Sequence, residues 1–182
     1  KEDLFFGGAA GFPGRLYIQR DQGYKGIRLN SFGLDAEFED TDATFFDYDG
    51  DGDLDLYVVS GGNAHSAGSE MYMDRLYENN GTGVLNRKED VLPMFTESGS
   101  CVRPFDYDSD GDLDLFLGGR HLPWQYPSPT TSRILENQEG VFKDVTNSQA
   151  PELMDIGMVT DALWMDYDGN GMEDLVIVGE WM

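Results

Sequence analysis

Short runs of alternating apolar and polar residues, broken by clusters of glycine, asparagine and aspartate, make up most of this chain. Leu54–Val59 (LDLYVV), Leu113–Gly118 (LDLFLG) and Glu173–Val178 (EDLVIV) are rich in leucine, β-branched and aromatic residues. Runs of this length and period bounded by turn residues predict strands, and no stretch carries a convincing helical period.

The runs recur. DYDGDGDLDL, DYDSDGDLDL and DYDGNGMEDL start at Asp47, Asp106 and Asp166, 59 and 60 residues apart. Downstream, RLYIQRDQG from Arg15, RLYENNGTG from Arg75 and RILENQEG from Arg133 align, and upstream ATFFD, VRPFD and ALWMD lead into the loops. Each unit reads as four strands: one entering the acidic loop, one leaving it, one opening on the repeated arginine, and a short last one such as Val141–Thr146. Four strands on this period are the signature of a β-propeller blade. The predicted fold class is therefore all-β, a β-propeller segment of four-stranded blades with the acidic loops between first and second strands. Its predicted divisions are a partial blade over 1–34, blades over 35–92 and 93–150, and a partial blade over 151–182. Residues 1–8 align with 172–179, which predicts a fourth acidic loop cut at Asp3 and a window of a longer array. Open edges would then pair with the rest of the propeller or with another chain.

The loops need a cation. Aspartates at alternate positions repel by roughly 1 kcal/mol per close pair in water and about 4 kcal/mol near a protein surface. Numbered from Asp47, the first loop has aspartates at positions 1, 3, 5, 7 and 9 and a glycine at position 6, where a sharp turn lets alternate side chains converge. Side chains from positions 1, 3, 5 and 9 with a carbonyl from position 7 make an all-oxygen set of six or seven ligands if Asp55 is bidentate, which suits calcium better than magnesium. An EF-hand needs glutamate at position 12, which is Val58, Leu117 and Ile177 in the three copies. No Cys/His cluster supports zinc or copper.

DxDxDGDxD followed by LDLFLGG on a blade period resembles the FG-GAP or VCBS-type repeats of calcium-binding β-propellers, over nearly the whole chain. The resemblance implies side-chain ligands Asp47, Asp49, Asp51 and Asp55; Asp106, Asp108, Asp110 and Asp114; and Asp166, Asp168, Asn170 and Asp174. It implies carbonyl ligands from Asp53, Asp112 and Met172, and about three calcium ions. Asn170 departs from the pattern as a neutral ligand. GGR followed by proline-rich turns, SRILEN, FKDVT and VGEWM further resemble bacterial, Bacteroidota-like relatives of the cartilage acidic protein and UnbV group. Calcium modules of this kind fill at about 0.1 to 1 mM, which implies an extracellular or outer-membrane surface location in a bacterium.

Composition narrows the partners. The chain has 182 residues, is 40% hydrophobic and carries a net charge of −23, so it can bury a core and repels nucleic acid. No run reaches the roughly 20 apolar residues of a membrane-spanning helix. A single cysteine, Cys101, excludes an internal disulfide and reads as a buried thiol. Arg15, Arg75 and Arg133 share one repeat position and predict structural ion pairs. His65 and His121 are solitary, in inserts after the second strand, and predict surface or hydrogen-bonded side chains.

Those inserts are where binding chemistry concentrates. Arg120–Ser132 (RHLPWQYPSPTTS) offers Trp124 and Tyr126 between prolines, suited to stacking on a sugar or gripping a peptide, or else to packing on a neighbouring blade. No nucleophile elbow, phosphate loop or Cys/His pair is present. The leading expectation is a calcium-stabilised extracellular module for recognition, adhesion or assembly, with protein or glycan partners at the cell surface. The alternatives are part of a propeller-fold polysaccharide lyase or hydrolase, or a purely structural component of a surface complex.

Overall fold

The computed structural model describes residues 2–182, and Lys1, the first residue aligned to the cut fourth loop, lies outside the described residues. Among the described residues, thirteen strands form four antiparallel sheets in chain order. The first sheet is β1 (Leu4–Phe6), β2 (Arg15–Arg20) and β3 (Gly23–Ile27). The second is β4 (Asp40–Phe46), β5 (Asp55–Ser60), β6 (Arg75–Asn79) and β7 (Leu85–Lys88). The third repeats it as β8 (Gly99–Phe105), β9 (Asp114–Gly119), β10 (Arg133–Gln138) and β11 (Val141–Asp144). The last holds β12 (Met158–Met165) and β13 (Asp174–Glu180).

Two short helices, α1 (Asn30–Leu34) and α2 (Thr146–Gln149), and two 3₁₀ turns occupy connections. The sequence reading found no helix because pieces this short complete barely one turn and show no period. No helix among the described residues is long and apolar enough to cross a membrane.

Strands β5 and β9 are buried along their whole length. Their pleat divides side chains between the two neighbouring sheets. Leu56 and Val58 face the first sheet, with Leu16 and Phe32, while Tyr57 and Val59 face the third, with Val102, Leu115, Leu117 and Phe142. Phe116, on the opposite face of β9 from Leu115 and Leu117, packs with Val159 and Ala162 of the last sheet. Each fully buried leucine or valine contributes about 1.5–3 kcal/mol, so successive sheets are joined by their cores. Cys101 lies in this third cluster, its thiol pushed up from its ordinary pKa by burial.

Register is repeated as closely as sequence. Phe46 pairs with Asp55, Phe105 with Asp114 and Met165 with Asp174, so each acidic loop closes on the same pair of positions. The first strand of each unit shifts register at one point, past Thr41, Ser100 and Thr160. There the hydroxyls donate to Val59 O at 3.4 Å, Gly118 O at 3.0 Å and Val178 O at 3.0 Å, binding the bulge to the second strand. Inner strands then run so close that a Cβ on Gly99 would stand 2.5 Å from Val59 Cγ1.

Candidate metal centres

Each acidic loop is wound by its own first aspartate. Asp47 accepts Gly50 N at 2.8 Å and Gly52 N at 3.0 Å; Asp106 accepts the amides of Asp110 and Gly111; Asp166 accepts those of Gly169, Asn170 and Gly171. The curl depends on a left-handed residue at position 6, where Gly52, Gly111 and Gly171 have φ of 91°, 102° and 87°.

The last aspartate is tied at both oxygens. Asp55 Oδ2 accepts Tyr48 N at 3.1 Å and its Oδ1 accepts Asn79 N of the third strand at 2.8 Å. Asp114 does the same with Tyr107 N at 3.2 Å and Asn137 N at 2.8 Å. Asp174 accepts Tyr167 N at 3.0 Å. Asp3, aligned with them, accepts Gln19 N at 2.8 Å, the same link from the first sheet's second strand. Burial pushes Asp55 and Asp114 up to about 6, against the backbone donors that pull them down.

Three of the predicted ligands converge in every copy. Carboxylate oxygens of Asp47, Asp49 and Asp55, of Asp106, Asp108 and Asp114, and of Asp166, Asp168 and Asp174 lie within 4.8 Å of one another. Position 5 stands outside these triads. Asp51, Asp110 and Asn170 accept the amide two residues on, from Asp53, Asp112 and Met172, at 3.0, 2.9 and 2.7 Å. Asp49, Asp108 and Asp168 within the triads accept the amide two residues on in the same way, at 3.3, 3.2 and 3.0 Å, so the bond winds the loop at both positions. The Asp53 side chain turns to the β6–β7 hairpin, its Oδ2 lying 3.3 Å from where a Cβ on Gly81 would stand. The donor set is all oxygen and anionic, and three negative groups this close fit a hard divalent cation.

The repeated arginines diverge. Arg75 Nη2 binds Asp40 at 2.6 Å with both side chains under 7% exposed, and its guanidinium lies over the Phe38 ring. Arg133 pairs with Glu97 at 2.7 Å and Asp144 at 2.8 Å and covers Phe95. Arg15 is exposed and forms no ion pair among the described residues, contrary to expectation. Asp40 and Glu97 come from the first strand or its approach, and the first sheet has no such strand among the described residues.

Sequence reasoning missed two devices, one repeated and one single. Asn79 and Asn137 staple loop to hairpin: their Nδ2 groups donate to Leu54 O and Leu113 O and their Oδ1 atoms accept Gly83 N and Gly140 N. Arg103 crosses three sheets, bonding Asp42 at 2.6 Å, Ala162 O at 2.7 Å and Asp161. The asparagine recurs four residues after the repeated arginine, a signal open to inspection; Arg103 occurs in one copy alone.

The inserts lie together. Trp124 Nε1 donates to His65 O at 3.1 Å and Trp124 N to Asn63 Oδ1 at 3.0 Å, while Tyr126 OH meets Glu180 at 3.3 Å. The expectation that these rings pack on a neighbouring unit is half met: their polar ends are anchored there, and the rings stay in solvent. His65 and His121 are hydrogen-bonded, to Glu37 O at 2.8 Å and Asn63 Oδ1 at 3.2 Å.

Residues 47–117 match the model of the FG-GAP-like repeat, a span that takes in the first two acidic loops and the strands between them. No curated protein matches the chain.

Proposed function

We propose that this chain is a segment of a calcium-stabilised β-propeller that serves as an extracellular recognition, adhesion or assembly module on a bacterial surface, among relatives of the cartilage acidic protein and UnbV group. The observation that carries this reading is the recurrence of one carboxylate triad at one register position in three successive units. The FG-GAP-like match over 47–117 supports it. So does the stacking of consecutive sheets through shared cores, the arrangement that blades require.

Calcium would be held by Asp47, Asp49 and Asp55 with Asp51 and the Asp53 carbonyl, and by the matching residues of the other loops. Its charge would offset the repulsion that otherwise loosens the β4–β5, β8–β9 and β12–β13 turns. Filling at millimolar calcium ties the fold to the cell exterior. With the scaffold held in this way, the inserts after β1, β5 and β9 become the surface free to recognise a partner.

Thermal melts of the chain in millimolar calcium and in chelator test the metal part: the expected result is a melting temperature higher by at least about 5 °C with calcium. An unchanged transition on chelation overturns the structural role. Labelled chain should also bind isolated bacterial envelopes in calcium, and a failure to bind would leave a structural part in place of recognition.

A further inference from the structure

We propose that Trp124, Tyr126 and Trp181 form a stacking platform for a neutral saccharide, with Asn63, Arg120 and Glu180 as its hydrogen-bonding rim. The proposal names the ligand class for the recognition surface suggested above and rests on that reading.

The inserts after β5 and β9, with Trp181 immediately past β13, supply the platform and its rim. Trp124, Tyr126 and Trp181 are 73%, 62% and 72% exposed. Their polar atoms are nevertheless all engaged. Trp181 Nε1 donates to Tyr126 OH at 3.3 Å, Tyr126 OH meets Glu180 Oε2, and Trp124 is held by His65 O and Asn63. The rings are thus fixed in place while their faces remain in water, which is the reverse of what burial of an aromatic achieves.

The support beneath them is rigid. His65 N donates to Tyr72 OH at 3.2 Å and Tyr72 OH to His65 O at 2.7 Å, with Tyr72 itself buried. The Arg120–Ser132 segment closes on itself through Leu122 N to Ser128 O and Gln125 N to Leu122 O, and its base is held by Arg120 N to Ser98 O. Trp124 and Trp181 both have positive φ, 64° and 58°, a conformation rare for bulky residues and kept where a particular side-chain direction matters.

The rim decides among ligands. Arg120 binds Glu180 at 3.0 Å, so a donor and an acceptor stand side by side with no net charge, on a chain whose total is −23. A polyanion is repelled by that total, and a second copy brings the same charge. A proline-rich segment offers carbonyl acceptors and few donors, so it leaves unmatched the acceptor capacity that Glu180 retains beyond its bonds to Arg120 and Tyr126 OH. A sugar ring presents C–H faces to aromatic rings and hydroxyls, each donor and acceptor, to Asn63, Arg120 and Glu180.

Affinity electrophoresis of the chain in millimolar calcium, through gels holding hydroxyethylcellulose, xylan, galactomannan or starch, tests the proposal, with polygalacturonate as the anionic control. At least one neutral polymer should retard the chain. Trp124→Ala should weaken retardation about tenfold and Trp124→Ala with Tyr126→Ala abolish it, with the calcium-loaded melting temperature kept; Trp124→Phe, which keeps a ring, should retain most of it. The proposal is overturned if no neutral polymer retards the chain, if retardation survives the double substitution, or if polygalacturonate alone retards it. It is equally overturned if a proline-rich peptide or self-association in sedimentation accounts for the surface. A chain that melts higher in calcium yet binds no neutral polymer would sink this proposal and leave the metal reading standing.

Discussion

Asp55 accepts the backbone N–H of Asn79 at 2.8 Å, so the ninth residue of the first acidic loop is also the clasp between that loop and the third strand. Asp114 and Asn137 stand in the same relation. A cation at the triad therefore bears on the order of the sheet as well as the loop. Asp55→Asn should lower stability in saturating calcium by about 2–4 kcal/mol, because a ligand and a charge-assisted bond are lost together. In chelator the cost should fall to about 1 kcal/mol, since the amide also removes a buried negative charge from a crowded acidic site. Urea melts of the two forms, with and without calcium, check the difference.

Three arginines at one repeat position should give three different costs. Arg75→Ala leaves Asp40 buried and unpaired and uncovers Phe38, which predicts a loss of about 3–5 kcal/mol. Arg133→Ala, partly exposed beside Glu97 and Asp144, should cost about 1–2 kcal/mol, and Arg15→Ala less than about 0.5 kcal/mol. Equal effects in denaturant melts would contradict the environments described for these side chains.

The repeat that made the loops legible is also what misled on Arg15: self-similarity carries residue identity from unit to unit, while the partner acid lies on another strand. Strands and loops were readable because apolar period and turn residues are local. The carboxylates of positions 1, 3 and 9 stand together in the folded chain, while position 5, where Asp51 accepts the Asp53 amide, lies beside them; alternation in sequence gives no sign of that difference. The bulge hydroxyls Thr41, Ser100 and Thr160 sit six residues before each loop in all three copies, yet serine and threonine are too common for that to signal a bulge. The meeting of Tyr126 with Trp181 is out of reach of the sequence, because the two residues share no repeat position and lie 55 residues apart.

Arg103 joins β8 to its neighbours on both sides, and the two bonds should differ in strength. Asp42 is the less exposed partner and also accepts Val102 N at 3.1 Å, whereas Asp161 is more than half exposed. Double-mutant cycles with Arg103→Gln should give a coupling of about 1 kcal/mol with Asp42→Asn and about half that or less with Asp161→Asn. Raising salt to about 1 M should shrink the second coupling more than the first.

Asp74 supplies a pH dependence apart from the metal loops. It accepts Tyr57 OH and Ser60 N, each at 2.8 Å, and burial pushes its carboxyl up to about 6 from the ordinary 3.8. The folded chain then binds a proton that the unfolded chain has released, so this contribution to stability is present near pH 4 and is lost as pH rises through about 6. Asp74→Asn has no such titration. Between pH 4 and pH 7 the stability of the native chain relative to Asp74→Asn should fall by about 1–2 kcal/mol, a value moderated by partial exposure of the carboxylate. A gap that stays constant across that range would show that Asp74 titrates normally.

Asn170 offers the last prediction, since it sets the third loop apart by one charge. All three loops share the triad and the position 9 clasp to the position 2 amide, so calorimetric titration of the chelated chain should find three calcium ions, the weakest of them in the β12–β13 loop. Asn170→Asp should tighten that ion by about threefold to tenfold at low salt, the scale of one added carboxylate in a solvated site, and by less at about 0.5 M salt. Because Asn170 Oδ1 accepts Met172 N at 2.7 Å, an aspartate can keep that bond with one oxygen and present the other. The gain should therefore come without any fall in melting temperature in chelator beyond the added repulsion, about 1 kcal/mol at most. If Asn170→Asp leaves the weakest ion unchanged, position 5 takes no part in coordination, and the triad of positions 1, 3 and 9 with backbone oxygen would account for the whole of the binding.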